Sequence, residues 1–96
     1  MESDKPTKNH HIAEHLWARR DLTATERYIA LAILSFRNNR TGKCCPKIIR
    51  VAERARVARE TVSRAIPILE AKGVFTVHRV WKLNHYKFTE PKNDRE

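Results

Sequence analysis

The sequence predicts a mainly α-helical domain with a small β-hairpin at its end. Three observations carry this. Apolar residues recur at i, i+3 and i+4 in four segments before Gly73. After Gly73 the period drops to 2, the spacing of strands. Between the third and fourth helical segments only "RVA", residues 56–58, intervenes, which is a turn and not a linker.

The first helix is expected at about 12–19, in "IAEHLWARR", where Ile12 and Leu16, and Ala13 and Trp17, stand four apart and share a face. The second is expected at about 23–37. Thr23 and Glu26 make an S/T-x-x-E capping box, with Leu22 placed as a hydrophobic staple. Ile29, Ala32, Ile33 and Phe36 form one stripe of this helix, and Leu31 and Leu34 lie opposite. A helix apolar on two sides is buried on two sides. One side covers the rest of the domain. The other meets the first helix, a second subunit, or both. The loop "RTGKCCP" leads to a third helix at about 47–55, with Pro46 suited to its start. A fourth is expected at about 59–72, closed by Gly73. Its core stripe is Val62, Ala65, Ile66 and Leu69, and Pro67 falls on the outward side. There a proline loses one i→i−4 bond and bends the helix or divides it into two. The hairpin occupies about 74–88, with a short link through Val80–Leu83. Residues 1–10 read as a disordered tail, 11–90 as the domain and 91–96 as a frayed tail.

Composition narrows the function. The 96 residues make one domain, and 41% apolar content supports a core without a metal or disulfide staple. Twenty Lys and Arg oppose eleven Asp and Glu, for a net charge of +9. Between Arg37 and Arg64 stand nine basic residues, opposed by Glu53 and Glu60 alone. Most of the excess therefore lies along the third and fourth helices, which points to a polyanion partner. No apolar run approaches the ~20 residues of a membrane span, and residues 1–11 have no signal-peptide core, so a cytoplasmic, nucleoid-associated protein is expected. Cys44 and Cys45 are adjacent and have no second pair, and the five histidines are scattered, so neither a disulfide nor a metal site is expected. No Ser/His/Asp order, paired carboxylates or phosphate-binding glycine loop suggests an enzyme, and no cofactor or small-molecule effector is expected.

The order helix, short helix, tight turn, helix, hairpin is that of a winged helix-turn-helix, in which the second helix of the pair enters the major groove of DNA. On that helix Arg59, Glu60, Ser63 and Arg64 point outward from its first turns and are the expected base readers. Arg64 suits guanine O6 and N7, Ser63 either base type, and Glu60 cytosine N4. An acid in the first turn also suits the helix dipole without any DNA. Thr61, Lys43, Lys47, Arg50 and Arg56, with Arg79 and Lys82 on the hairpin, are the expected phosphate contacts. Ile68 and Trp81 stand off the core pattern. They either pack together as a satellite core or join Trp17, Leu31 and Leu34 as protein contacts. Self-association through the N-terminal part would make a homodimer with half-sites about one helical turn apart.

The stretch "RTGKCCPKIIRVAERARVARETVSRAIPILEAKGVF", with "LTATERYIALAILSF" before it and "NHYKF" after it, resembles the winged helix-turn-helix domains of bacterial, phage and plasmid DNA-binding proteins. The resemblance rests on Gly42, Cys44, Pro46, Ala52, Val57, Thr61-Val62, Arg64-Ala65-Ile66, Leu69 and Gly73-Val74, and covers about Leu22 to Phe88. It implies double-stranded DNA binding in a replication initiator or transcription regulator. The alternative is a protein-interaction winged helix, an accessory subunit of a nucleoprotein complex. Three positions depart from the pattern. Ala58 stands where Ser or Thr usually caps the recognition helix, "VWKL" replaces a Gly-rich wing tip, and Pro67 replaces a plain surface residue.

Overall fold

The computed structural model describes residues 7–90. In chain order its elements are α1 (Asn9–Ala18), α2 (Ala24–Leu34), α3 (Ile48–Ala55), α4 (Arg59–Ala71), β1 (Phe75–Val80) and β2 (Leu83–Phe88). The class is the expected one: four helices and an antiparallel hairpin in a winged helix-turn-helix order. The expected tails at 1–10 and 91–96 fall mostly outside the described residues.

Helix α1 begins earlier than its apolar spacing suggests, because tertiary bonds start it. Asn9 Nδ2 donates to the carbonyl of Arg37 at 2.9 Å, and the Asn9 amide donates to Asn39 Oδ1 at 2.7 Å. In return Arg37 Nη1 donates to Asn9 Oδ1 at 2.8 Å and to the Thr7 carbonyl at 2.7 Å. At the other end Arg27 donates to the carbonyls of Leu16, at 3.1 Å, and Arg19. Both carbonyls lie at the helix C-terminus, where the α-helical bonding pattern runs out. Two arginines of the α2 region thus pin α1 at both ends.

Helix α2 opens on the expected capping box, with Glu26 N to Thr23 Oγ1 at 3.1 Å and Thr23 N to Glu26 Oε1 at 3.0 Å. Leu22 is buried in the common core, but the staple position four residues into the helix is Arg27, so no staple forms. The helix stops at Leu34, short of Arg37. The chain tightens there into i→i−3 bonds, Phe36 N to Ile33 O and Arg37 N to Leu34 O. Both sides of α2 are buried, as its two stripes require: Ile29, Ala30, Ala32, Ile33 and Leu34 all lie in the core. What covers them is the same chain. Helix α1 packs on one side through Ile12 and Leu16, and α3 and α4 pack on the other. Leu34 is therefore enclosed within the chain and Leu31 half-buried, the first helix folding back over this side of α2.

The α3–α4 turn is "RVA", with Arg56 in the left-handed region at φ 60° and ψ 43°. Val57 N returns to Ala52 O at 3.1 Å and closes α3. Helix α4 starts at Ala58 without a side-chain cap and runs unbroken through Pro67. The proline deletes only the bond to the Ser63 carbonyl. Both residues are exposed, on the side away from the core stripe, and the helix continues. Its end is a Schellman motif: Gly73 at φ 79°, Gly73 N to Glu70 O at 3.0 Å, and Val74 N to Leu69 O at 3.0 Å. Lys72, the last residue before Gly73, donates to the Asp21 carbonyl at 2.5 Å and to Glu26 Oε1 at 2.7 Å. Arg19 bridges the Lys72 carbonyl and Asp21. Hydrogen bonding from Lys72 holds the Glu26 carboxyl below its ordinary pKa, and the Arg19 bond does the same for Asp21.

The hairpin pairs Phe75 with Phe88, Val77 with Tyr86 and His78 with His85. Phe75 meets Tyr86 and Phe88 edge-on, at ring distances of 5.1 and 5.3 Å, and anchors the sheet to the core. Tyr86 N donates to the Cys44 carbonyl at 2.8 Å, so the loop before α3 borders β2. Burial, reinforced by the neighbouring Cys45, pushes the Cys44 thiol up to about 12, with Arg37 pulling the other way. The thiol stays protonated and donates to the Ile33 carbonyl. Val80 pairs with Leu83 across a two-residue turn, Trp81-Lys82, and Trp81 takes φ 60°. Trp81 is 93% exposed and Ile68 43%, so the two do not form a satellite core.

Candidate nucleic-acid interface

The two helix starts and the hairpin face a common cleft of about 360 Å³. Lys47 and Ile49 come from the start of α3, Arg59 and Ser63 from the first turns of α4, and Arg79, Lys82 and Asn84 from the hairpin. Each arrives there for a local reason. Pro46 ends the loop and aims the start of α3. The "RVA" turn sets the first turns of α4 beside it. Alternation along β1 puts Arg79 on the same side as Phe75 and Val77, but beyond the core, where it reaches the cleft.

The electrostatics are one-sided. The cleft is lined by four cations and no carboxylate. The ion pairs among the described residues, Arg19–Asp21 and Lys72–Glu26, lie at the opposite end of α4 and use none of these cations. Lys47 and Ala58 occupy the N-cap positions of α3 and α4, and neither supplies a side-chain cap. The first backbone N–H groups of both helices therefore remain open, with the positive end of each dipole beside the cations. Such a surface is electrostatically suited to an anion.

The cleft thus gathers Lys47, Arg59, Ser63, Arg79 and Lys82 from the expected residues. Arg50, Arg56, Glu60 and Arg64 are exposed on the same helix pair but outside the cleft, and Thr61 is half-buried beside the core stripe. Lys43 sits elsewhere, in a second cleft with His78, His85 and Lys87. Two members of the basic stretch are turned to internal use. Arg37 is buried on Thr7 and Asn9, and Arg54 lies 4.1 Å over the Phe36 ring and donates to Ser35 Oγ. Asn84 is the residue that charge and helix position missed. Its place in the wing motif is legible, but its approach to the cleft depends on the strand register.

No curated protein and no solved structure matches the chain. A family described as a helix-turn-helix domain matches residues 20–74, which span α2, α3, the turn and α4. With that match over more than half of its length, on top of the helix pair and its cationic cleft, the chain belongs to the helix-turn-helix domain family, and DNA is its partner.

Proposed function

We propose that the protein binds double-stranded DNA sequence-selectively and regulates transcription or replication of a bacterial or mobile-element genome, working as a binding protein in the nucleoid and not as an enzyme. The observation that carries this is the carboxylate-free cleft joining Lys47, Arg59, Arg79 and Lys82 to the two uncapped helix starts. With α4 entering the major groove start first, Arg59, Glu60, Ser63 and Arg64 face base edges. Lys47, Arg50, Arg56, Thr61, Arg79 and Lys82 face the backbone on either side, and Lys43 approaches it from the neighbouring cleft. A homodimer on DNA would join through Trp17 of α1 and Tyr28 of α2, which are 64% and 52% exposed, since Leu34 is enclosed.

Binding measured by fluorescence anisotropy across a salt series tests the reading. Four phosphate contacts among Lys47, Arg50, Arg56, Arg79 and Lys82 give a log K against log salt slope of about −3.6. Selection from a random duplex pool should return one motif, and light scattering of the complex its stoichiometry. A slope near zero, or a pool that converges on no motif, counts against it.

A further inference from the structure

Trp81 is the most exposed large apolar side chain among the described residues, at 93%, and nothing packs beneath it. It also occupies the wrong place for a tryptophan. It is the first central residue of a two-residue hairpin turn and takes a positive φ, while Lys82 after it does not. That pattern belongs to a turn in which glycine is favoured at the first position. Neither core packing nor turn chemistry accounts for the indole. Its surroundings do point somewhere. Val80, 49% exposed, precedes it, Lys82 follows it, and Lys82 and Arg79 line the cationic cleft shared with α4. The tip stands about 17 Å along the strand from the anchored Phe75.

We infer that Trp81 is a base-stacking wedge: with Arg79 and Lys82 on flanking phosphates, its indole inserts against a base step next to the segment read by α4. This rests on the DNA reading above and adds to it a distorted flank. An apolar side chain on a cationic collar suits a nucleic acid, whose apolar base faces lie between anionic backbones. An apolar protein surface would leave the collar unpaired. Wedges of this kind unstack one step and bend the duplex, most easily at pyrimidine–purine steps. The step taken by Trp81 should therefore be of that class, giving sequence preference outside the bases that α4 touches.

The sequence has two tryptophans, so the emission lost on Trp81→Phe is that of Trp81. On adding the selected duplex to the wild type, that component should be quenched and become shielded from acrylamide. A 2-aminopurine placed at the flanking step should brighten as it unstacks. Trp81→Ala should lose about ten-fold in affinity, the scale of one base–aromatic stack. Trp81→Gly separates this from a structural role. It should melt at a higher temperature, because glycine suits the turn, and still bind about ten-fold more weakly. If both variants bind as the wild type does, with the same salt slope, and Trp81 stays open to acrylamide in the complex, the wedge is refuted while DNA binding stands. Shielding of Trp81 that depends on protein concentration without DNA would assign the tip to a second copy and also refute it. Absence of any salt-dependent DNA binding by the wild type would instead remove the underlying reading.

Discussion

Single residues divide into those that read and those that hold. Arg64 and Ser63 sit exposed on the first two turns of α4, whereas Lys47 and Arg50 lie at the start of α3. Arg64→Ala should weaken binding to the selected site by ~1–3 kcal/mol, the worth of a lost bidentate base pair, with little effect on random duplex. Ser63→Ala should act in the same sense, more weakly. Lys47→Ala and Arg50→Ala should weaken both duplexes alike and make the salt slope shallower by about 1 each. Anisotropy titrations of the four variants on both duplexes separate the classes, and equal loss everywhere would cancel the base-reading roles. At this scale the sequence was only partly legible. Charge and helix position named Arg59, Ser63 and Lys47, which the fold brings to one cleft. They could not tell that Arg37 turns inward, since a buried guanidinium on two carbonyl-type oxygens looks in sequence like any other cation of the stretch.

The elements were more legible, because each carries its own start or stop. The capping box of α2, the Gly73 end of α4 and the alternation of the hairpin are local chemistry and stand where they were expected. What escaped is set by distant partners. The start of α1 depends on Arg37, 28 positions away; the early end of α2 is the exception, a local tightening of its last turn. Helix α4 is the weakly specified element, with no cap at Ala58 and a lost bond at Pro67. Ala58→Ser should stabilise the fold by ~0.5–2 kcal/mol through a new bond to an open N–H of the first turn. Urea unfolding measures this. An unchanged midpoint would mean that the first turn is held by something other than its cap. The added hydroxyl also competes with phosphate for those amides, so tighter folding should come with slightly weaker non-specific binding.

At the scale of the whole molecule, two devices hold the helices around α2. One is the latch of Lys72 on Glu26 and Asp21 with Arg19, which ties the end of α4 to the loop before α2. Both carboxyls titrate below their ordinary values when folded. Their contribution is complete above the unfolded values near ~4 and is lost as pH falls through the folded ones. The melting temperature should therefore hold steady down to about pH 5 and drop below about pH 4, and Glu26→Gln should reduce that drop. A wild type that melts identically at pH 5 and pH 3 would exclude the latch. The second device is the pinning of α1 by Arg27 and Arg37. The segment shared with the family begins at residue 20, yet the core begins at Ile12. The family match thus stops short of the helix that closes one side of the core. A chain shortened to start at Arg20 keeps every proposed DNA contact but bares one side of α2 and leaves two arginines without acceptors. It should lose its cooperative thermal transition and aggregate, and adding back a peptide of residues 7–19 should restore both the transition and DNA binding.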